Sequence, residues 1–408
     1  MTDAQTIGKE LNVQTVLTGR LASRGDDLTL SLSLEDVQTG NQIWGKQYNR
    51  KLINLIALQT EIARDVYDNL KTKLSGADEQ RLAKNHTINP EAYQLYLKAR
   101  NHAGRGTPSE VQRAISYYQQ AIEIDPNYAL AYIGLSESYV GLAFNSEIPA
   151  TETMPKAKVA ANKAVEIDDT LAEAHSALSD ILFWYDWDFN AAEEHIKRAL
   201  ELDPNSAGVQ REYAVFLSTM GRHAEALVVI KRAIELDPPN LGYKAIQGLI
   251  LIRAGQYDEG LAVLQKVREQ NPGDWYGGGY TFAISGYTKK GMYAEAIAIA
   301  RQARELSGVN PITMSFVGQT LAKAGKRAEA RVVLEEMLKL SKVRHVSPHN
   351  IAMVYNALEM RDETFAQLEL SYELREPRAV QLKVETKWDN LHDEARFQDL
   401  LRRMGLPQ

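Results

Sequence analysis

The sequence predicts a mostly α-helical protein, an α-solenoid of about eight helix pairs preceded by a small α+β domain. Three observations carry this. The stretch KRALELDPN, Lys197 to Asn205, returns as KRAIELDPPN, Lys231 to Asn240, with Ala199 and Ala233 34 residues apart. The turn glycines Gly221, Gly255, Gly291 and Gly325 follow at spacings of 34, 36 and 34. Near the N-terminus, LTLSLSLED alternates Leu28, Leu30, Leu32 and Leu34 with Thr29, Ser31, Ser33 and Glu35. That period of two belongs to a strand with one buried face.

Residues 1–75 form the α+β part. Flanking strands are VQTVLTGRL and QIWGKQY, separated from the central strand by the turn residues of SRGDD and QTGN. Leu55, Leu58, Ile62, Val66 and Leu70 then mark an amphipathic helix, with Asn54 as its expected cap. The predicted order is a short helix, three antiparallel strands and a helix. Residues 76–90 read as a linker.

Residues 91–375 form the array. Within one period, Tyr213, Phe216 and Leu217 lie on a first helix, and Ala226, Val229, Ile230 and Ala233 on a second. Gly221 suits the helix end between them, and Pro238 stops the second helix. Alanine at Ala226 and Ala233 lets the two helices approach closely. Pairs are expected to begin near Glu91, Ala129, Ala172, Ala207, Leu241, Gly277, Pro311 and Ser347. The third pair carries WYDWD where others have a glycine turn, and Arg361 stands at the turn of the last. Residues 376–408 read as a C-terminal extension and capping helix. Asp393 is its expected N-cap, Phe397, Leu400, Leu401 and Met404 its buried side, and Arg396, Arg402 and Arg403 its wet side.

The repeat resembles the tetratricopeptide repeat (TPR) family. YIGLSESY (Tyr132, Leu135, Tyr139) matches that family's first helix, with Ser136 in its glycine slot. AISYYQQAIEIDP (Ala114, Tyr118, Ala121, Pro126) matches the second. The resemblance implies a right-handed superhelix whose first helices line a concave side. GKELNVQTVLTGRL, LEDVQTGNQIWGKQYNR and LIALQTEIA resemble the C-terminal half of a TolB-like (FlgO-like) module. That module often precedes such repeats in bacterial signalling proteins. The likeness to its later half implies an open sheet edge, and so a possible homo-oligomer through the N-terminal sheet.

The 408 residues are 44% hydrophobic and 25% charged, with net charge −6 and no cysteine. The mild acidity argues against a nucleic-acid partner, and the missing cysteines exclude thiol chemistry. No apolar run reaches the roughly 18–20 residues of a membrane span. The expectation is a cytoplasmic protein if the chain is complete, or the extracytoplasmic side of a longer membrane receptor. There is no glycine-rich phosphate loop, nucleophile elbow, protein-kinase signature or zinc-hydrolase motif, so no catalytic residue, metal or cofactor is expected. Gly277 to Gly279 read as a close-packed helix start and His175 as a core residue. His345 and His349 have metal-pair spacing but enclose Pro348 and lack a carboxylate motif. Glu193 and Glu194 read as solvated, and Trp184 and Trp187 as plugs of a long turn.

What remains is the concave surface. By register it presents Glu137, Glu173, Ser176, Asp180, Phe183, Arg211, Val215, Leu249, Thr281, Ser285 and Gln319, together with Leu130, Ile133, Val140, Ser218, Ile252 and Ser315. Such a groove is acidic toward its N-terminal part and neutral further on. It suits a protein or peptide partner of some basic character. Two functions are consistent with this: a non-catalytic interaction scaffold or sensor, or the regulatory region of a bacterial kinase, adenylate cyclase or transcription regulator.

Overall fold

A computed structural model of the chain describes residues 4–11, 13–25, 27–51, 55–70, 87, 89–145, 148–274 and 279–406. The expected helix cap Asn54, most of the linker 76–90, and Gly277 and Gly278 lie outside them.

Helix α1 (Ala4–Leu11) precedes strands β1 (Thr15–Arg24), β2 (Asp27–Asp36) and β3 (Gln42–Lys51), and α2 (Leu55–Leu70) follows. The strands pair antiparallel in the order β1-β2-β3, with Leu17 opposite Leu34 and Leu30 opposite Tyr48. Leu28 and Leu34 are buried, whereas Leu30 and Leu32 are half-buried. Helix α2 is clasped to β3 by polar contacts. The buried Tyr48 donates to Asp65 at 2.7 Å, and Arg50 and Lys46 reach Glu61 at 2.6 and 3.2 Å. The β1 edge leaves Leu17 and Leu21 exposed.

Eight antiparallel helix pairs follow among the described residues: α3 (Pro90–Ala103) and α4 (Pro108–Ile124); α5 (Ala129–Phe144) and α6 (Ala150–Ile167); α7 (Ala172–Ile181) and α8 (Phe189–Leu202); α9 (Ala207–Thr219) and α10 (His223–Leu236); α11 (Leu241–Arg253) and α12 (Tyr257–Gln270); α13 (Gly279–Lys289) and α14 (Tyr293–Ser307); α15 (Pro311–Lys323) and α16 (Arg327–Leu340); α17 (Pro348–Ala357) and α18 (Arg361–Glu373). Each first helix also touches the first helix of the next pair, so the eight form one inner layer.

Small residues set the spacing within a pair. Ala226, Ala233, Ala296, Ala303 and Ala330 are fully buried on second helices, and Ser136, Ala214, Gly248, Gly318 and Ala352 are small buried residues of first helices. A Cβ added at Gly260 would lie 2.8 Å from the backbone oxygen of Gly248. Where serine replaces the small apolar residue, its hydroxyl is absorbed across the pair: Ser136 donates to Ala157 O at 3.0 Å, and Ser179 to Ala192 O at 2.8 Å. Gly279 opens α13 close against Val267 and Arg268, where an added Cβ would lie 3.2 Å from each side chain.

The turns are left-handed at φ +82, +82, +75 and +80° for Gly221, Gly255, Gly291 and Gly325. Each lets the following N–H return to a carbonyl five residues back, as from Arg222 to Leu217 at 2.8 Å. In the last pair Glu359, not Arg361, takes this place at φ +63°, and Met360 N–H returns to Tyr355. Arg361 is instead the first residue of α18. The third pair differs in kind. Residues Leu182–Asp186 form a π-turn continuing α7, closed by Trp187 in the left-handed region at φ 60°.

The C-terminal extension departs most from expectation. Arg375, also left-handed, reverses the chain, and Glu376 N–H bonds Ser371 O at 3.0 Å. Two 3₁₀ turns, Pro377–Gln381 and Thr386–Leu391, then run back over the inner layer before α19 (Ala395–Arg403) packs on α18. Helix α19 buries Phe397, Leu400, Leu401 and Met404. Its N-cap is Glu394 rather than Asp393, and no side chain bonds there. Its arginines are held by acids, Arg396 by Asp362, Arg402 by Asp399 and Arg403 by Glu369.

Backbone-to-backbone contact in the fifth pair predicts a sharp difference between two glycines. Gly260→Ala should destabilise the array by about 1–3 kcal/mol, because a methyl has nowhere to go. Gly141→Ala, in α5 with nothing near its Cβ position, should be neutral or stabilising by about 0.5–1 kcal/mol. Urea midpoints of the two variants against the wild type check this.

Candidate functional site

The inner layer and the returning extension, the strap, border a partly open chamber of about 900 Å³. Helices α5, α7, α9, α11, α13, α15 and α17 form its wall, and strap residues from Arg378 to Asn390 form its roof. The strap is anchored at its start on the far side of the array. Arg375 lies over the Trp187 ring at 4.1 Å and donates to Tyr185 O and Asp186 O at 3.3 and 3.4 Å. Arg378 donates to Phe144 O at 3.4 Å. Further along, Trp388 is fully buried, and Asn356 donates to Lys387 O at 2.8 Å. Trp187 therefore receives the strap instead of filling its own turn. Trp184 packs edge-on against Phe144 and lines the chamber.

Ten of the eleven principal residues predicted for the concave face line this chamber: Glu137, Glu173, Ser176, Asp180, Arg211, Val215, Leu249, Thr281, Ser285 and Gln319, as do Val140 and Ile252. Phe183 does not. It is 2% exposed in a cluster with Trp184, Phe189 and Phe216. The cause is the π-turn, whose wider winding rotates the register so that Trp184 faces inward in its stead. Ile133 is core, and Leu130 packs half-buried against it. Ser218 and Ser315 are buried in local hydrogen bonds, Ser218 to His223 and Arg253, Ser315 to Ile312 O.

The chamber's walls differ in charge. Glu137 on α5 and Glu173 and Asp180 on α7 make one side acidic. Arg211 faces them but is already paired with Glu212. Burial, then repulsion from Asp180 and Glu173, pushes the Glu137 carboxyl up to about 7, against the pull of Arg211 and Arg100. Water still reaches Glu137, although protein surrounds it on several sides. Burial likewise lifts Asp180 above the ordinary carboxylate range, opposed by Arg211 and a hydrogen bond from Trp184.

The opposite side corrects the neutral groove read from the sequence. Arg253, His349, Asn350, Glu385 and Lys387 meet there. Lys387 pairs with Glu385 at 2.7 Å, and Arg253 stands 4.0 Å from the same carboxylate. Burial, aided by Lys387 and Arg378, holds His349 near 3, so its imidazole is neutral. Burial also lowers Arg253 and Lys387. The sequence pattern did not join these groups, because Glu385 and Lys387 lie on the strap. His345 does not approach His349 as a ligand pair; it bonds Glu376 at 3.2 Å. His175 meets His195 at 2.9 Å and Asp169 O at 2.9 Å, in a packed position. Glu193 is not merely solvated, since Arg222 and Lys197 hold it at 2.7 and 2.9 Å.

Family models for the tetratricopeptide repeat match residues 187–250 and 110–128. A putative adenylate cyclase 3 of Rhizobium meliloti is 29% identical over 183 residues, 45% of this chain and 31% of that protein. The transcriptional regulator HilA of Salmonella typhimurium is 27% identical over 153 residues, 38% of this chain and 27% of that protein. The chain thus matches under a third of the length of either relative. A solved structure of Pseudomonas aeruginosa PilF is 22% identical, with a TM-score of 0.39, over 53% of this chain and 91% of that one. Paired helices and left-handed glycine turns agree with the two matched segments, which lie on either side of the acidic wall: residues 110–128 and 187–250 are tetratricopeptide repeats within a solenoid of like helix pairs.

Proposed function

We propose that this chain is a non-catalytic binding module, a scaffold or sensor, whose concave face holds a protein or peptide partner through positive charge on that partner. The acidic wall carries this reading. Three carboxylates crowd two adjacent helices, and the arginine facing them is already engaged by Glu212. A cationic side chain placed among them relieves that repulsion. The strap limits how such a partner enters: end-on, or with the strap displaced.

A second reading makes the chain the regulatory region of a larger cyclase, transcription regulator or kinase. The likeness to a putative adenylate cyclase over 183 residues favours it. It expects an in-frame catalytic or DNA-binding segment upstream of Met1 in the DNA; a ribosome-binding site directly before Met1 would overturn it.

The β1 edge supports self-association, since among the described residues β1 pairs only with β2 and Leu21 is 64% exposed. Leu21→Lys should shift sedimentation of the full chain toward monomer; unchanged profiles count against this edge.

Binding and pH test the acidic wall together. The triple variant Glu137→Gln, Glu173→Gln, Asp180→Asn should bind a fluorescent lysine-rich peptide about tenfold or more weakly than wild type by anisotropy. Equal affinities would place the partner elsewhere. The raised Glu137 value also fixes a sign. The folded chain keeps a proton on Glu137 that the unfolded chain releases from about pH 4.3 upward. The stability this supplies is complete below that value and is lost as pH rises through about 7. Glu137→Gln should therefore match the wild type near pH 4 and melt slightly higher at pH 8, the margin kept small by the solvent exposure of Glu137. Asp180, Glu173, Arg211 and Arg100 face the same carboxyl and remain unchanged in both proteins.

A further inference from the structure

The strap crosses the chamber at fixed points, and that bears on the size of its occupant. The strap is pinned on the Trp187 ring and the carbonyls of Tyr185 and Asp186 at one end, and by the fully buried Trp388 and the Asn356 bond at the other. A strap held at both ends favours a short occupant over a long extended one. The space of about 900 Å³ falls within the roughly 300–1,000 Å³ typical of small-molecule sites.

The two sides of the chamber are out of balance in opposite senses. The acidic side is described above. On the other, the Arg253 side chain is 3% exposed, and its nearest carboxylate, Glu385, stands 4.0 Å away and is shared with Lys387. Nη1 of Arg253 reaches only the hydroxyls of Ser218 and Thr219, both at 3.4 Å. Its Nε and Nη2 have no hydrogen-bond partner, nor does Nδ2 of Asn350, a residue 3% exposed. These are donors in want of an acceptor, and a buried guanidinium so placed is costly until an anion meets it. Much of the remaining wall is apolar, with Val215, Leu249, Phe316 and Met353.

We propose that the chamber is a receptor site for a small zwitterion of the short-peptide class, its ammonium among Glu137, Glu173 and Asp180 and its carboxylate at Arg253 and Asn350. The inference rests on the reading of the concave face as the binding face and names the ligand that fits it with the strap in place. The apolar wall selects a ligand with a hydrophobic middle. Each charged end replaces water with charge-assisted hydrogen bonds, and neither end alone satisfies both walls.

The test uses the full chain, with a panel of apolar dipeptides and tripeptides at millimolar concentration, read by thermal shift and then calorimetry. At least one should bind saturably and raise the melting temperature. For that compound, N-acetylation and C-terminal amidation should each weaken binding about tenfold or more. Glu137→Gln should weaken the zwitterion and its amide but leave the weak N-acetyl form unchanged. Arg253→Gln should do the converse, and Asn350→Asp serves the same purpose if the arginine variant does not fold. No stabilisation by any compound, or equal binding of parent, acetylated and amidated forms, overturns the proposal. A lysine-rich peptide that binds and is lost in the acidic-wall variant, while zwitterions do nothing, overturns this inference alone. Failure of both overturns the concave-face reading as well.

Discussion

Close approach of two helices is the constraint on which the structure depends. Each pair can touch only where alanine, glycine or serine stands at the crossing, and these positions recur at a fixed spacing. Backbone proximity in turn fixes the rotation of each first helix, so that one side of it meets its partner and another faces inward. A run of such pairs has no freedom to choose a different inner face. The chamber wall is therefore a consequence of the small residues on the opposite side of the same helices, and Gly248 against Gly260 is its tightest instance.

Curvature converts this local rule into a long-range one. The inner layer brings α18 and the residues after it back to α5 and the π-turn, and Arg375 and Arg378 close the distance by bonding carbonyls of Tyr185, Asp186 and Phe144. All three carbonyls lie at or near helix ends, where backbone oxygens lack intrahelical partners and attract cations. Closure places a charged strap opposite a charged wall at low dielectric. Glu137 and Asp180 rise, Arg253 and Lys387 fall and His349 is neutral, each chiefly through burial.

The pairs, their boundaries and most of the inward residues were legible in the sequence because a helix repeats every 3.6 residues and a turn glycine marks each restart. Glu137, Asp180, Arg211, Leu249 and Gln319 follow from that register alone. Phe183 shows its limit. A single π-turn adds a residue to the winding, and no periodic pattern survives the insertion, so Trp184 takes the inward place. Glu359 shows another: a left-handed residue other than glycine leaves no compositional mark, and the register slid to Arg361.

The sequence by itself determined what local physics repeats: the helix pairs, the strand alternation near the N-terminus, the small residues at crossings and the acidic stretch of the inner face. Only the tertiary structure decided that the groove is a chamber. The strap meets residues such as Phe144 and Tyr185 roughly two hundred positions earlier in the chain, and a contact at that separation depends on the summed curvature of every intervening pair. No window of sequence contains that sum. The basic wall, the neutral His349 and the unpartnered donors of Arg253 and Asn350 exist only because of it.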